Sequence, residues 1–376
     1  MARGWRSWLP RLVAASLLVV VLTAGCRTAI APDSARLAAL EPELGSLLLV
    51  GVQGTDGGAA DLDALLCGVR VGGTVLFARN IVDPAQLARL TAALLERAEA
   101  CTGRKLLVAV DAEGGSVMRL APGAGWPGTL SAQELGEAND FVLTELEARR
   151  IGRLLRAAGI NWDLAPVVDV GYNPANPVIV GTARSFSANP ALVAEHARAF
   201  VLGMRAEGVL TALKHFPGHG SSYGDSHRGF TDVTDTAAPE VELLPYRTLI
   251  DAGLADSVMT AHVFNRRLDD RRPATLSRAT ISGLLRGELG FTGPVVSDDL
   301  RMAAIEQQYG LGEAAVLAID AGVDMLLIVD DRLPDGRSAA RVTLDAIRDA
   351  LANGTLDPAR VEAALDRIRA FRARLP

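Results

Sequence analysis

The chain has 376 residues, 49% of them hydrophobic and 22% charged, enough apolar material for a substantial globular core. A formal net charge of −6 gives no basic footprint, and aromatic residues at 5% supply no stacking platform, so nucleic acid is not an expected partner.

The first residues, "MARGWRSWLPRLVAASLLVVVLTAGC", read as a targeting segment rather than as part of the fold. Arg3, Arg6 and Arg11 form a positive n-region, and the apolar run from Leu12 to Leu22 has the length of a signal h-region. That run falls short of the roughly 20 apolar residues of a spanning helix. "LTAGC" then resembles a bacterial lipobox ending at Cys26, with Thr23 where such boxes more often carry Leu. The expectation is a signal peptide over 1–25 and a lipidated N-terminus and tether over 26–44. The protein is then exported and anchored to the periplasmic or extracellular face of a bacterial membrane without spanning it. The alternative is a signal cut elsewhere, with Cys26 a bystander. The other cysteines, Cys67 and Cys101, each follow an apparent helix; they are either a disulfide of an exported protein or two separate small core residues.

From residue 45 to 376 short apolar runs alternate with amphipathic stretches. Eight runs qualify as strands: 46–52, 73–78, 105–111, 160–170, 208–216, 257–263, 293–299 and 323–329. Continuous apolar runs of this kind suit parallel strands covered on both faces. Helices fall between them, as at 189–208, where Asn189 can cap, Pro190 takes the first helical position and Gly208 ends the run. Residues 311–322 and a two-helix tail over 338–374 read the same way. The fold class is α/β, a single (β/α)8 TIM-type barrel with C-terminal helices, and an open doubly wound sheet is the alternative. "GVQGTDGG" (51–58) lacks the spacing and the following helix of a dinucleotide site, and no cofactor is expected.

Polar residues gather at the C-terminal ends of the runs. They are Asp111 and Glu113 after the third, Asp163 and Asp169 around the fourth, Lys214 and His215 on the fifth, His262 on the sixth, and Asp298 and Asp299 on the seventh. In a barrel these ends share one rim, where the active site lies. "KHFPGHGSSYGDSH" (214–227) holds three of the five histidines. His215 and His219 have the i, i+4 spacing of metal ligands on a helix, but Pro217 and Gly218 between them argue against a helix, and no metal is expected. Asp225 and His227 suit a proton relay in which the carboxylate orients one imidazole nitrogen and the other acts as acid, then base. "GDSH" is alternatively an Asp-initiated turn. On a strand only one of Asp298 and Asp299 faces the barrel axis, where a carboxylate can act as a nucleophile. Alternatively Ser297 or Asp298 caps a helix over "LRMAAIEQQ". His196 reads as structural, on a surface-type helix.

"KHFPGHG" followed four residues later by "DSH" resembles the signature of glycoside hydrolase family 3 β-N-acetylhexosaminidases of the NagZ type. "DAEGGSVMRL" (111–120), "LAPVVDV" (164–170), "ARSF" (183–186), "TAHV" (260–263) and "SDDLRM" (297–302) resemble further blocks of that family, in family order. The resemblance implies a single-domain retaining exo-β-N-acetylglucosaminidase with Asp298 as nucleophile and Asp225–His227 as the acid/base dyad. It further implies that Asp111, Arg119, Arg184, Lys214 and His215 bind the sugar, with His219 and His262 in support. The implied partner is a carbohydrate, namely peptidoglycan fragments or chito-oligosaccharides with a terminal N-acetylglucosamine. A phosphorylase using the same nucleophile and an inactive sugar-binding lipoprotein are the rivals. Ser116, Met118 and "SSYG" (221–224) depart from the family pattern and bear on what binds beyond the first sugar.

Overall fold

The computed structural model describes residues 1–4, 34–56 and 60–376. Cys26 and nearly all of the expected targeting segment lie outside the described residues. The barrel and its helices belong to the unit Pro32–Pro376.

Eight strands form the central sheet: β1 (Leu48–Gly51), β2 (Gly73–Leu76), β3 (Leu107–Val110), β4 (Trp162–Asp163), β5 (Leu210–Phe216), β6 (Ser257–Thr260), β7 (Val295–Val296) and β8 (Leu326–Ile328). Every pairing is parallel, in the order β7-β6-β5-β4-β3-β2-β1-β8. The two ends meet: Val296 bridges Met325 in parallel, Ser297 N–H donates to the Met325 carbonyl at 2.9 Å, and Leu300 N–H to that of Leu327 at 3.1 Å. The sheet therefore closes as a barrel, as expected, and the open-sheet alternative is excluded. All residues of β1, β2, β3 and β5 are buried, the condition under which uninterrupted apolar runs are tolerated.

Two runs are shorter as strands than their apolarity suggests. The 160–170 run is regular only at Trp162–Asp163, because Pro166 has no N–H to offer the ladder. The 293–299 run is regular only at Val295–Val296. Both continue as irregular chain over the rim, and in a barrel this irregular chain carries the polar side chains.

Helices follow the strands: α1 (Pro84–Thr102), α2 (Phe141–Ala157), α3 (Pro190–Ala206), α4 (Leu244–Asp251), α5 (Ala279–Glu288, with π-type turns), α6 (Leu311–Ala321), α7 (Ala339–Ala352) and α8 (Pro358–Arg372). α3 starts as read, with the Asn189 side chain accepting from Ala191 N–H at 3.0 Å and Pro190 at the first position. His196 on α3 is structural, but it is wholly buried rather than on a surface. Its Nδ1 pairs with Thr144 Oγ1 of α2 at 2.8 Å, and its ring stacks on Phe186 at 5.3 Å.

Carboxylates at the N-terminal ends of the strands are tied to arginines. Asp256, just before β6, takes Arg205 and Arg374 together with Thr211, and Asp324, before β8, takes Arg286 and Arg367. They pin the C-terminal helix to the barrel floor. Cys67 and Cys101 are joined in a disulfide, Cα–Cα 5.0 Å, linking the segment after β1 to the end of α1 across 34 residues. Closing a loop of that length removes chain entropy from the unfolded state worth about 4 kcal/mol. Replacing both cysteines by serine is expected to lower the unfolding free energy in urea by about 2–4 kcal/mol. Dithiothreitol should destabilise the wild type comparably and leave the double variant unchanged.

Candidate active site

The rim is built from four of the eight strand ends. After β3 the chain passes Asp111 and folds back as a small antiparallel pair, Ala112–Gly114 with Val117–Met118, placing Glu113 over the barrel mouth. Gly114 has φ +91° and its missing Cβ would sit 2.1 Å from the Leu130 carbonyl oxygen, so only glycine fits this turn. Arg119, returning from the pair, bonds Asp111 Oδ2 at 3.1 Å.

β5 delivers Lys214 and His215 across a cis peptide. The Lys214 ammonium is 2% exposed and lies 2.7 Å from Asp111 Oδ1 and 2.6 Å from Glu113 Oε1. Arg184, on the long connection after β4, meets Glu113 with a two-toothed contact, Nε to Oε2 at 2.7 Å and Nη2 to Oε1 at 2.8 Å. The result is an alternating chain: Arg119, Asp111, Lys214, Glu113, Arg184. It continues into His215, whose Nε2 is 3.3 Å from Arg184 Nη2 and whose Nδ1 is 2.7 Å from Asp169 Oδ2. With Nδ1 paired to the Asp169 carboxylate, Nε2 is the ring atom that faces Arg184. Asp169 also accepts the backbone N–H groups of His215 and His219.

Burial works against every one of these charges, yet the pairing prevails. It raises Asp111, but Lys214 and Arg119 outweigh it and leave the carboxyl below its ordinary value. It raises Glu113 too, and Arg184 and Lys214 bring that carboxyl down to about 2. It lowers Lys214, whose ammonium is nevertheless held charged by Asp111 and Glu113.

Asp225 and His227 meet as anticipated. Asp225 Oδ1 accepts from His227 Nδ1 at 2.9 Å and from His227 N–H at 3.0 Å. The carboxylate that closes the Asp-initiated turn therefore also holds the ring, so the turn and the side-chain pairing are compatible. His227 is 60% exposed at the cavity mouth, with Nε2 turned away from Asp225. His219 lies behind, its ring bonded to Ser222 Oγ at 2.8 Å and Ser226 Oγ at 3.0 Å. Burial pulls its pKa down to about 4, so it braces the loop as a neutral ring. His262 does the same for the next segment, with Nδ1 on Thr275 Oγ1 and Nε2 on the Asp299 carbonyl. Both nitrogens of His215 and of His219 are thus engaged, and among the described residues no group of three or more His, Cys, Asp or Glu is placed to hold a metal.

At β7 the expectation of opposite faces fails: the strand ends at Val296, and both Asp298 and Asp299 border the cavity. They differ in what they bond. Asp299 Oδ1 accepts from Val329 N–H and Arg301 N–H, whereas Asp298 Oδ1 takes only its neighbour's N–H. Burial raises the Asp298 carboxyl, but the surrounding imidazoles of His262, His215 and His227 and the Asp299 N–H outweigh it and leave it below its ordinary value. The capping alternative is excluded. The helix begins at Ala303 without a side-chain cap, and Ser297 Oγ accepts from Leu327 N–H instead.

Eight of the anticipated residues line one cavity of about 550 Å³: Asp111, Arg119, Arg184, Lys214, His215, Asp225, His227 and Asp298. His219 and His262 sit behind it as supports. Phe77 and Met302, apolar parts of the wall, do not stand out in the sequence. Phe77 lies within the 73–78 run and Met302 ends the "SDDLRM" block, but neither side chain carries a chemical group that marks it.

Fold and rim together define a (β/α)8 protein whose strand ends carry a charge-braced pocket with a carboxylate–histidine pair at its mouth. The profile of the glycosyl hydrolase family 3 N terminal domain matches residues 39–371, and the chain belongs to this family. It is similar to β-hexosaminidase A of Pseudoalteromonas piscicida, 34% identical over 84% of this chain and 55% of that protein. It also resembles β-hexosaminidase LpqI of Mycobacterium tuberculosis, 37% identical over 89% of this chain and 83% of that one. Among solved structures, a family 3 β-N-acetylglucosaminidase of Paenibacillus superposes with a TM-score of 0.82 at 38% identity, covering 89% of this chain and 62% of that one. The chain thus spans little more than half the length of two of these relatives.

Asp299 allows a pH test of the rim. Burial, its largest influence, pushes the carboxyl up to about 6 from 3.8, so the folded state holds this proton more tightly than the unfolded chain. Stability contributed by the protonated form is complete below pH 4 and lost as pH rises through 6. Asp299→Asn keeps the Oδ1 acceptor and removes the charge. It is expected to be more stable than wild type by about 1–3 kcal/mol in urea unfolding at pH 7, and equal to it below pH 4.

Proposed function

We propose that the protein is a retaining exo-β-N-acetylglucosaminidase acting through a covalent glycosyl–Asp298 intermediate. The observation that carries this reading is the pairing of Asp225 Oδ1 with His227 Nδ1 at the mouth of a cavity that also presents the ionised, least-bonded carboxylate of Asp298. In the first step Asp298 attacks the anomeric carbon while His227 gives its Nε2 proton to the departing glycosidic oxygen. Asp225 orients the ring and stabilises it while charged. In the second, the ring takes a proton from water as that water displaces Asp298, regenerating both groups. Two inversions retain the β configuration. Lys214, Arg119 and Arg184 donate to hydroxyls and to the acetamido oxygen, and Asp111 and His215 complete the sugar's polar contacts.

The substrates in this reading are fragments of peptidoglycan, with chito-oligosaccharides second. Arg228, 87% exposed beside Asp225, lines the leaving-group side of the cavity and supplies a cation suited to an acidic aglycone. An exported, lipid-anchored location is supported by the n-region, the h-region and "LTAGC" in the sequence, and by the Cys67–Cys101 disulfide, a bond that persists in oxidising compartments.

Mass analysis of products from muropeptides and chitobiose, with and without phosphate, tests the activity; a sugar 1-phosphate would favour a phosphorylase. Asp298→Ala should nearly abolish turnover. His227→Ala should slow poor leaving groups by about 10²–10⁴-fold and activated aryl glycosides far less. Equal losses for both classes would make His227 structural. Cys26→Ser should move the protein out of the membrane fraction with its activity intact, and a processed variant that stays membrane-bound would refute the anchor.

A further inference from the structure

Glu113 lies among the sugar-facing residues but is bonded unlike any of them. Oε1 is ion-paired with Lys214 Nζ at 2.6 Å and accepts from Arg184 Nη2, and Oε2 accepts from Arg184 Nε. The side chain is 5% exposed. With both oxygens bound to Arg184 and one also against the Lys214 ammonium, little of the carboxylate remains for a hydroxyl. We infer that Glu113 is a positioning residue. It holds the Lys214 ammonium and the Arg184 guanidinium, which would otherwise repel one another, at the separation needed to grip one sugar. This inference rests on the glycosidase reading above.

The groups around Lys214 show why one carboxylate cannot serve alone. Asp111 faces it from the end of β3 and Glu113 from the small antiparallel pair, with Arg184 beyond Glu113. Asp163, on β4, is the third carboxyl nearby. Burial pushes its pKa well above the ordinary range, and one of its oxygens has no hydrogen-bond partner among the described residues, so burial works against a counter-charge there. Losing Glu113 would leave a fully buried ammonium with Asp111 alone and with Arg184 released toward it.

The test uses the whole chain and 4-nitrophenyl N-acetyl-β-glucosaminide, whose activated leaving group minimises the part His227 plays in the pH profile. Glu113→Gln is expected to lower kcat/KM by about 100-fold. It should weaken inhibition by free N-acetylglucosamine by about tenfold or more, as expected for misplaced ligands. The alkaline limb of kcat/KM should move down by about one to three pH units, because Lys214 loses one of two neighbouring anions. A merely structural role would leave that limb in place. Glu113→Asp keeps the charge but is too short to serve both cations, so sugar binding should weaken while the limb stays near its wild-type position. A folded Glu113→Gln protein with wild-type inhibition and limb would overturn the inference. If that variant does not fold, a folded Glu113→Asp protein with wild-type affinity would do the same. A wild-type chain that neither cleaves the aryl glycoside nor binds N-acetylglucosamine would overturn the glycosidase reading itself, and this inference with it.

Discussion

The candidate site depends on keeping one ammonium charged where water hardly reaches. Isolated in a protein interior, the Lys214 charge would cost several kcal/mol and the side chain would deprotonate. It stays charged because Asp111 and Glu113 approach it to 2.7 and 2.6 Å from the chain that leaves β3. Those carboxylates are in turn held down by Arg119 and Arg184. The series therefore draws together the segments following β3, β4 and β5. A parallel barrel permits this because it brings consecutive strand ends side by side. Lys214 and Arg184 are each neutralised by a carboxylate from a different connection.

The two ends of the barrel use the same kinds of residue to different effect. Asp256 and Asp324, before β6 and β8, are surrounded by arginines and backbone or hydroxyl donors, border no part of the rim cavity, and serve only to fasten the floor. At the rim, the pairing leaves donors and acceptors directed into a space of about 550 Å³. Burial and charge pairing alone would not separate these cases. Position at the C-terminal ends of the strands, together with an open cavity, does.

Much of this is legible in the sequence because it is local. The apolar runs and their polar ends, Asn189–Pro190 at the start of α3, and the two-residue spacing of Asp225 and His227 all concern near neighbours. The features that sequence hides are set by distant contacts. Glu113 is visible as a rim residue, but its partners are 71 and 101 positions away in the chain. The pairing of Cys67 with Cys101 is undecidable from sequence for the same reason. Alternation fails at Asp298 and Asp299 because apolarity does not report where a strand stops, and the ladder to β8 ends at Val296. His196 reads as a surface residue, yet the helix is two-sided and its ring is packed between α2 and Phe186.

The structure also separates rigidity from access. Lys214, Glu113 and Asp169 are buried and bonded at nearly every available atom, whereas His227 is mostly exposed on a loop held by its base. That base is fixed by amides, by His219 and by the buried Asp169 carboxylate: Asn173 and Asn176 donate to carbonyls of residues 219–222, His219 N–H donates to Asp169, and the His219 ring joins Ser222 to Ser226. The amides and the His219 ring that brace the loop carry no charge of their own, and Arg228, 3.4 Å from Asp225 Oδ2, is the cation beside the pair. The buried end can be strongly polar because its charges cancel among themselves. The exposed end presents the Asp225–His227 pair with Arg228 beside it.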